Sequence, residues 1–118
     1  DALNYLGYSY AEKGINLNEA LKLIKKALQL EPNNGYIIDS LGWVYYKLGR
    51  YKESLELLKK ALKFVNDDPV IYDHIGDVYF KLGNHEQALK FYKKALQFKE
   101  KEENLEEKIE KKIKKLSK

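Results

Sequence analysis

"SLGWVYYKLG", residues 40–49, decides the fold because it recurs. Aligned on its first glycine, it superimposes on "YLGYSYAEKG" (5–14) and "HIGDVYFKLG" (74–83). Each copy reads x-[LI]-G-x-x-Y-x-x-x-G. A second block follows each: "EALKLIKKALQLEPNN" (19–34), "ESLELLKKALKFVNDD" (53–68) and "QALKFYKKALQFKEKE" (87–102), sharing x-[AS]-L-x-x-x-K-K-A-L. Ala27, Ala61 and Ala95 lie 34 apart, and Gly7, Gly42 and Gly76 lie 35 and then 34 apart. The extra residue of the first copy falls between Gly14 and Ala20, in "INLN", a loop where insertions are tolerated. Self-similarity at this period marks stacked supersecondary units that share one continuous core.

Both blocks carry helical periodicity. Ile38, Leu41, Tyr45 and Leu48 recur at i, i+3, i+7 and i+10, and Leu55, Leu58, Ala61 and Leu62 at i, i+3, i+6 and i+7. Between them, Gly49 follows the periodic run as a helix-ending glycine does. Asp68 before Pro69 reads as an N-cap and a proline in the first helical position, and "LEPNNG" does the matching job one repeat earlier. The unit is helix–turn–helix, three times over. Gly42 lies inside a helix, where glycine costs about 1 kcal/mol relative to alanine. The missing Cβ is expected to let the second helix of the pair come close, against the small residue Ala20, Ser54 or Ala88. Phosphate binding does not explain the glycine series, since the glycines are intrahelical and no Gly-x-x-x-x-Gly-Lys is present.

The 118-residue chain has ordinary hydrophobic content (44%) and high charge (34%), so it reads as a folded soluble chain of one domain. The net charge of +4 is spread, with +2 from residues 99–118 (eight Lys, six Glu) and +2 from the rest, which argues against a nucleic-acid arm. Having no cysteine, the chain forms no disulfide or thiolate metal site. No apolar run approaches the roughly 20 residues needed to span a bilayer, so membrane insertion is not expected. The chain begins at Asp1 and contains no methionine, so it reads as a fragment or processed product.

These repeats resemble the tetratricopeptide repeat (TPR). The matching positions are Leu3, Leu6, Gly7, Tyr10, Ala20, Ile24, Ala27 and Pro32 in repeat 1. They are Ile38, Leu41, Gly42, Tyr45, Ser54, Leu58, Ala61 and Asn66 in repeat 2, and Tyr72, Ile75, Gly76, Tyr79, Ala88, Tyr92, Ala95 and Glu100 in repeat 3. The departures are Ser54 in place of alanine and the absence of the closing proline in repeats 2 and 3. The resemblance covers about residues 1–100 and implies an all-α fold, a right-handed α-solenoid. Repeat 1 is expected at 1–34, repeat 2 at 35–68 and repeat 3 at 69–101. The tail, with Leu105, Ile109, Ile113 and Leu116 in one narrow apolar stripe, is expected to form a seventh, capping helix at 102–118, and a coiled-coil dimer helix is the alternative. Comparable arrangements occur in bacterial repeat proteins, some of them exported. A bacterial source is expected and localisation stays open, with the cytoplasm favoured and an exported or membrane-attached parent as the alternative.

In proteins of this family the first helix of each pair lines the concave face. Carried over, its outward positions are Asn4, Tyr8, Ala11 and Glu12 in repeat 1, Asp39, Trp43, Tyr46 and Lys47 in repeat 2, and Asp73, Asp77, Phe80 and Lys81 in repeat 3. Residues i, i+4 and i+7 share a helix face, so the set is self-consistent. Rings beside carboxylates fit an interface that holds an extended or helical peptide with apolar side chains and a Lys or Arg. Packing of some rings against a neighbouring helix is the competing reading. One subclass of the family grips a C-terminal carboxylate with Lys and Asn at these positions. Here Asp39 and Asp73 would repel such a tail.

Other chemistry is thinly represented. His74 with Asp73 and Asp77 reads as a solvated acidic face rather than a metal site, and His85 as a packing residue. No triad or carboxylate pair is evident, so no enzyme and no cofactor are expected. The pairs Lys25–Lys26, Lys59–Lys60 and Lys93–Lys94 read as a solvated convex strip. The expected function is protein–protein interaction through the concave face, with protein or peptide partners and Trp43 and Tyr46 as central anchors. The alternative is a structural or self-associating module without a ligand of its own, for which a homo-oligomer is the natural form.

Overall fold

The structure, a computed structural model, describes residues 1–116, apart from the side chains of Leu105 and Glu106. Leu105 of the expected stripe and the last two residues of the expected capping helix therefore lie outside the described residues.

Among the described residues six helices follow one another: α1 (Ala2–Lys13), α2 (Leu17–Leu30), α3 (Gly35–Lys47), α4 (Tyr51–Ala61), α5 (Pro69–Lys81) and α6 (His85–Leu116). Their ends are set by local chemistry. Asp1, Asn34 and Asp68 accept hydrogen bonds from backbone N–H groups of the first turns of α1, α3 and α5, and Pro69 opens α5. Gly49 and Gly83 have φ of 80° and 81°, the left-handed conformation that turns each first helix into its second.

α1 and α2, α3 and α4, and α5 and α6 pack as three hairpins. α1 touches α3 and α3 touches α5, while α2 docks on α3 and α4 on α5. Among the described residues α2, α4 and α6 make no comparable contact with one another. One row of helices is thus in side-by-side contact and the other is splayed. The stack curves with α1, α3 and α5 on its concave side. The core runs between hairpins. One cluster joins Ala11, Ala20, Ile24, Ala27, Ile37, Leu41, Trp43 and Val44, and the next joins Ile38, Leu58, Ala61, Ile71, Ile75 and Val78. Each fully buried Ile or Leu contributes about 1.5–3 kcal/mol relative to an exposed one.

The intrahelical glycine is explained by close approach: in the first two hairpins it meets the expected small residue, Ala20 or Ser54, and in all three it also meets a large residue of the second helix that was not expected. A Cβ on Gly42 would lie 2.9 Å from Cγ and Cδ2 of Leu58 and 3.3 Å from the Ser54 carbonyl oxygen. At Gly7 and Gly76 the same atom would meet the Ile24 side chain at 2.6 Å and the Tyr92 ring at 2.5 Å. The large residue of the second helix fills the space, while the small one keeps the backbones near. Ser54 adds something alanine cannot, since its Oγ donates to the Gly42 carbonyl oxygen at 2.6 Å with both residues buried.

The helix count differs from the sequence expectation. The tail does not form a seventh helix turned back on repeat 3. It continues α6, which runs unbroken for 32 residues. The reason is compositional: "KEKEEN" contains no glycine or proline, and its Lys and Glu residues are good helix formers. Nothing in that stretch ends the helix.

Candidate functional site

The concave row carries the predicted site residues, but not all of them face outward. Trp43 is only 6% exposed. Its ring stacks on His74 of α5 with centroids 3.9 Å apart and on Tyr46 with centroids 4.6 Å apart. Its Nε1 donates to Oε1 of Glu12 on α1 at 2.7 Å. Trp43 therefore ties three helices together, and the expectation of an outward-facing anchor is corrected: neighbouring helices close over it on both sides. Asp39 is corrected in the same way. It is 6% exposed and its Oδ1 lies 2.9 Å from Nδ1 of His74, itself 4% exposed. A buried carboxylate needs such a partner. His74 accordingly serves a buried contact between α3 and α5, not the solvated acidic face with Asp73 and Asp77.

The remaining predicted residues are distributed along the groove. Tyr8 is half-buried and tilted against His74. Burial first, then Glu12, Asp39 and Asp68, push its phenol above the ordinary range. Ala11 belongs to the core. Tyr46 is half-buried, and its phenol is raised by burial and by Asp77. Lys47 is exposed, with its ammonium 5.1 Å from the centre of the Trp43 ring, within cation–π range. Asp73 lies on the exposed edge of the row, and partial desolvation of its carboxyl, then Asp77, push it up against the pull of His74. Asp77 accepts from the Tyr92 hydroxyl at 2.6 Å. Phe80 is 55% exposed and stacks on His85 at 5.0 Å, which gives His85 its packing role. Lys81 is exposed.

What sequence reasoning missed is a hollow of about 340 Å³ where the N-terminal ends of α1, α3 and α5 meet. Asn4, Tyr5, Tyr8, Tyr36, Asp39 and Asp68 line it. Tyr5 is 78% and Tyr36 54% exposed. The Asn4 side-chain oxygen is buried and has no hydrogen-bond partner among the described residues. The hollow is rich in acceptors and ring faces. Three carboxylates, those of Glu12, Asp39 and Asp68, act on the Tyr8 hydroxyl, so the local potential is negative. Tyr36 was legible, because it lies three residues before Asp39 and so on the same helix face. Tyr5 was not, because the equivalent positions, Ser40 and His74, are buried in the other two hairpins. A larger hollow of about 580 Å³, lined by Val70, Tyr92 and Leu96 among others, lies between α5 and α6. It is the surface equivalent to the one on α3 and α4 that α5 covers.

Helical hairpins stacked at a 34-residue period, with glycine and a large apolar residue at each crossing, define a helical-repeat solenoid, a class of protein-interaction modules. Comparison with known proteins gives the family. A model of the TPR repeat matches residues 42–83, and one of the tetratricopeptide repeat matches residues 74–102. The chain belongs to the tetratricopeptide-repeat proteins. A TPR repeat-containing protein of Pseudomonas aeruginosa is 45% identical over 49 residues, 42% of this chain and 8% of that protein. Among solved structures, a crystal structure of MamA superimposes with a TM-score of 0.74 at 25% identity, covering 87% of this chain and 60% of that one. The first TPR domain of the human RPAP3 protein superimposes with a TM-score of 0.74 at 22% identity, covering 81% and 75%, which speaks for the fold alone. The chain thus spans a small part of the curated relative and just over half of the MamA chain. Among the described residues no helix is long and apolar enough to cross a membrane.

Proposed function

We propose that the chain binds an extended segment of a partner protein along the α1–α3–α5 face, and that a Lys or Arg of that segment seats in the hollow between Tyr5, Tyr8 and Tyr36. The observation that carries this reading is the hollow itself. It has ring faces on its walls, carboxylates of Asp39 and Asp68 at its edge, and the unpartnered Asn4 oxygen. A cation satisfies all three, since ring faces attract it, carboxylates neutralise it and an amide oxygen accepts its N–H. Apolar side chains of the segment lie against Tyr46 and Phe80 further along the groove. Asp73 and Asp77 extend the negative character in that direction.

The test is selection from a displayed random peptide library on the immobilised chain. The selected sequences are expected to be enriched in Lys or Arg. Tyr36→Ala removes an exposed ring, and Asp68→Asn keeps the helix cap while deleting its charge. A cation–π contact at an exposed site is worth about 0.5–1 kcal/mol, so Tyr36→Ala weakens binding by roughly two- to five-fold, and an ion pair near the surface is worth about 0.2–1 kcal/mol, so Asp68→Asn weakens it by up to about five-fold. Acidic consensus peptides, or affinities unchanged in both variants, would remove the proposal.

A further inference from the structure

The third hairpin presents a surface that the first two have covered. α3 lies over α1 and α2, and α5 lies over α3 and α4. Leu21 and Leu28 are half-buried against the first core cluster, and Leu55 and Leu62 against the second. Their equivalents 34 residues on, Leu89 and Leu96, are 55% and 59% exposed. Between α5 and α6 lies the hollow of about 580 Å³, lined by Val70, Asp73, Tyr92 and Leu96, with the opposite charges of Lys99 and Glu102 on its α6 wall. By the repeat, its cover would begin at residue 103, which is 34 residues after Pro69. Those residues continue α6 instead and do not turn back over the hollow.

The covered interfaces say what fits. Over α3 and α4, Ile71, Ile75 and Val78 of α5 enter the core. His74 on the same helix lies 2.9 Å from Asp39 and stacks on Trp43 with centroids 3.9 Å apart, so it sits between positions 39 and 43. The equivalent positions on α5 are Asp73 and Asp77. Partial desolvation and then Asp77 already raise the Asp73 carboxyl, so a shared cation relieves both. Asp77 accepts one hydrogen bond from Tyr92 and keeps free lone pairs. A side chain held against α5 as His74 is held against α3 therefore meets two carboxylates, and a Lys or Arg suits that place. A second copy does not supply this pattern. The residues of α1 that match Ile37, Ser40, Leu41 and Val44 of α3 are Ala2, Tyr5, Leu6 and Ser9. Ala2 and Ser9 are too small to fill the places of Ile71 and Val78, and Tyr5 carries no positive charge.

We infer that the α5–α6 face docks an amphipathic helix of a partner protein. That helix carries large apolar residues at i, i+4 and i+7, packed over Tyr92 and Leu96, and a Lys or Arg at i+3 between Asp73 and Asp77. Apolar anchors at this spacing are how a groove reads a helix. The surface is separate from the hollow between Tyr5, Tyr8 and Tyr36 and does not rest on the reading of that hollow.

The probe is a fluorescent alanine-rich peptide of about 20 residues, long enough to form a helix in water, with Ile, Arg, Ile and Val at i, i+3, i+4 and i+7. Its anisotropy is expected to rise and saturate on titration with the 118-residue chain. Leu96→Glu, at an exposed position, is expected to remove saturable binding and leave the helical spectrum of the chain unchanged. Asp73→Asn is expected to weaken the Arg peptide by up to about five-fold and to leave a peptide with Gln at i+3 unaffected. Tyr36→Ala, which weakens binding of the concave segment, is expected to leave this peptide's affinity unchanged, so the two sites fail separately. No saturable binding, or binding that survives Leu96→Glu, overturns the inference. Equal affinity for peptides with Arg and Glu at i+3 overturns it as well. Sedimentation equilibrium that shows the chain associating with itself, and losing that association in Leu96→Glu, would make a second copy the occupant and also overturns it.

Discussion

Replacing Trp43 by alanine separates a structural role from a binding role. The ring is 6% exposed, lies between His74 at 3.9 Å and Tyr46 at 4.6 Å, and donates to Glu12. Truncation of a buried Trp costs about 3–5 kcal/mol. The lost hydrogen bond adds little, because Glu12 is exposed and water replaces the donor. At this chain length 1 kcal/mol moves the melting temperature by roughly 3–6 °C, so the drop is on the order of 10–30 °C. Because Trp43 is the sole tryptophan, its fluorescence disappears with it, and far-ultraviolet circular dichroism is the appropriate thermal probe. A variant that melts within a few degrees of the parent would refute the placement of Trp43 as the joint between α1, α3 and α5.

Further outcomes follow from individual contacts. Asp39→Ala leaves His74 buried without its partner and is expected to cost about 1–3 kcal/mol. A double-mutant cycle with His74→Ala should return a coupling of about 0.5–3 kcal/mol, and additivity of the two changes would contradict the pair. Gly42→Ala gains about 1 kcal/mol of helix propensity. It places a methyl 2.9 Å from the branch point of Leu58, and overpacking of about 1–3 kcal/mol makes the net change destabilising in chemical denaturation. The phenols of Tyr8 and Tyr92 are both raised above the ordinary 10.0, chiefly by burial, and for Tyr92 next by its hydrogen bond to Asp77. Phenols of the unfolded chain ionise near pH 10 while these two hold their protons, so their stabilising contribution is complete below about pH 10 and is lost as pH rises further. Alkaline melts should show a shallower decline in the Tyr8→Phe, Tyr92→Phe double variant than in the parent, and identical slopes would contradict the shift.

The hairpin architecture was legible because its punctuation is local. Asp68–Pro69 and the trailing glycines Gly49 and Gly83 act within a few residues, and the 34-residue period does the rest. The burial of Trp43 and Asp39 was not legible. Face arithmetic on a single helix assigns them outward, and only Glu12 on one neighbour and His74 on the other turn them inward. Asp39 and His74 occupy different positions within their repeats, three and two residues before the glycine, so aligning the copies does not reveal the pair. The unbroken α6 was partly legible. The interval of 18 residues between Phe91 and Ile109 is a whole number of turns, which a helix restarted after a turn has no reason to preserve.

Amide chemical-shift mapping of the isotopically labelled chain, titrated with a library-selected peptide bearing one Arg, tests the central claim most directly. The shifts are expected to concentrate at Asn4, Tyr5, Tyr8, Tyr36 and Asp39 and to vanish when the Arg is replaced by Glu. Shifts confined to α2 and α4, around Lys25, Lys26, Lys59 and Lys60, or shifts indifferent to the Arg, would contradict a concave-face site for a basic partner.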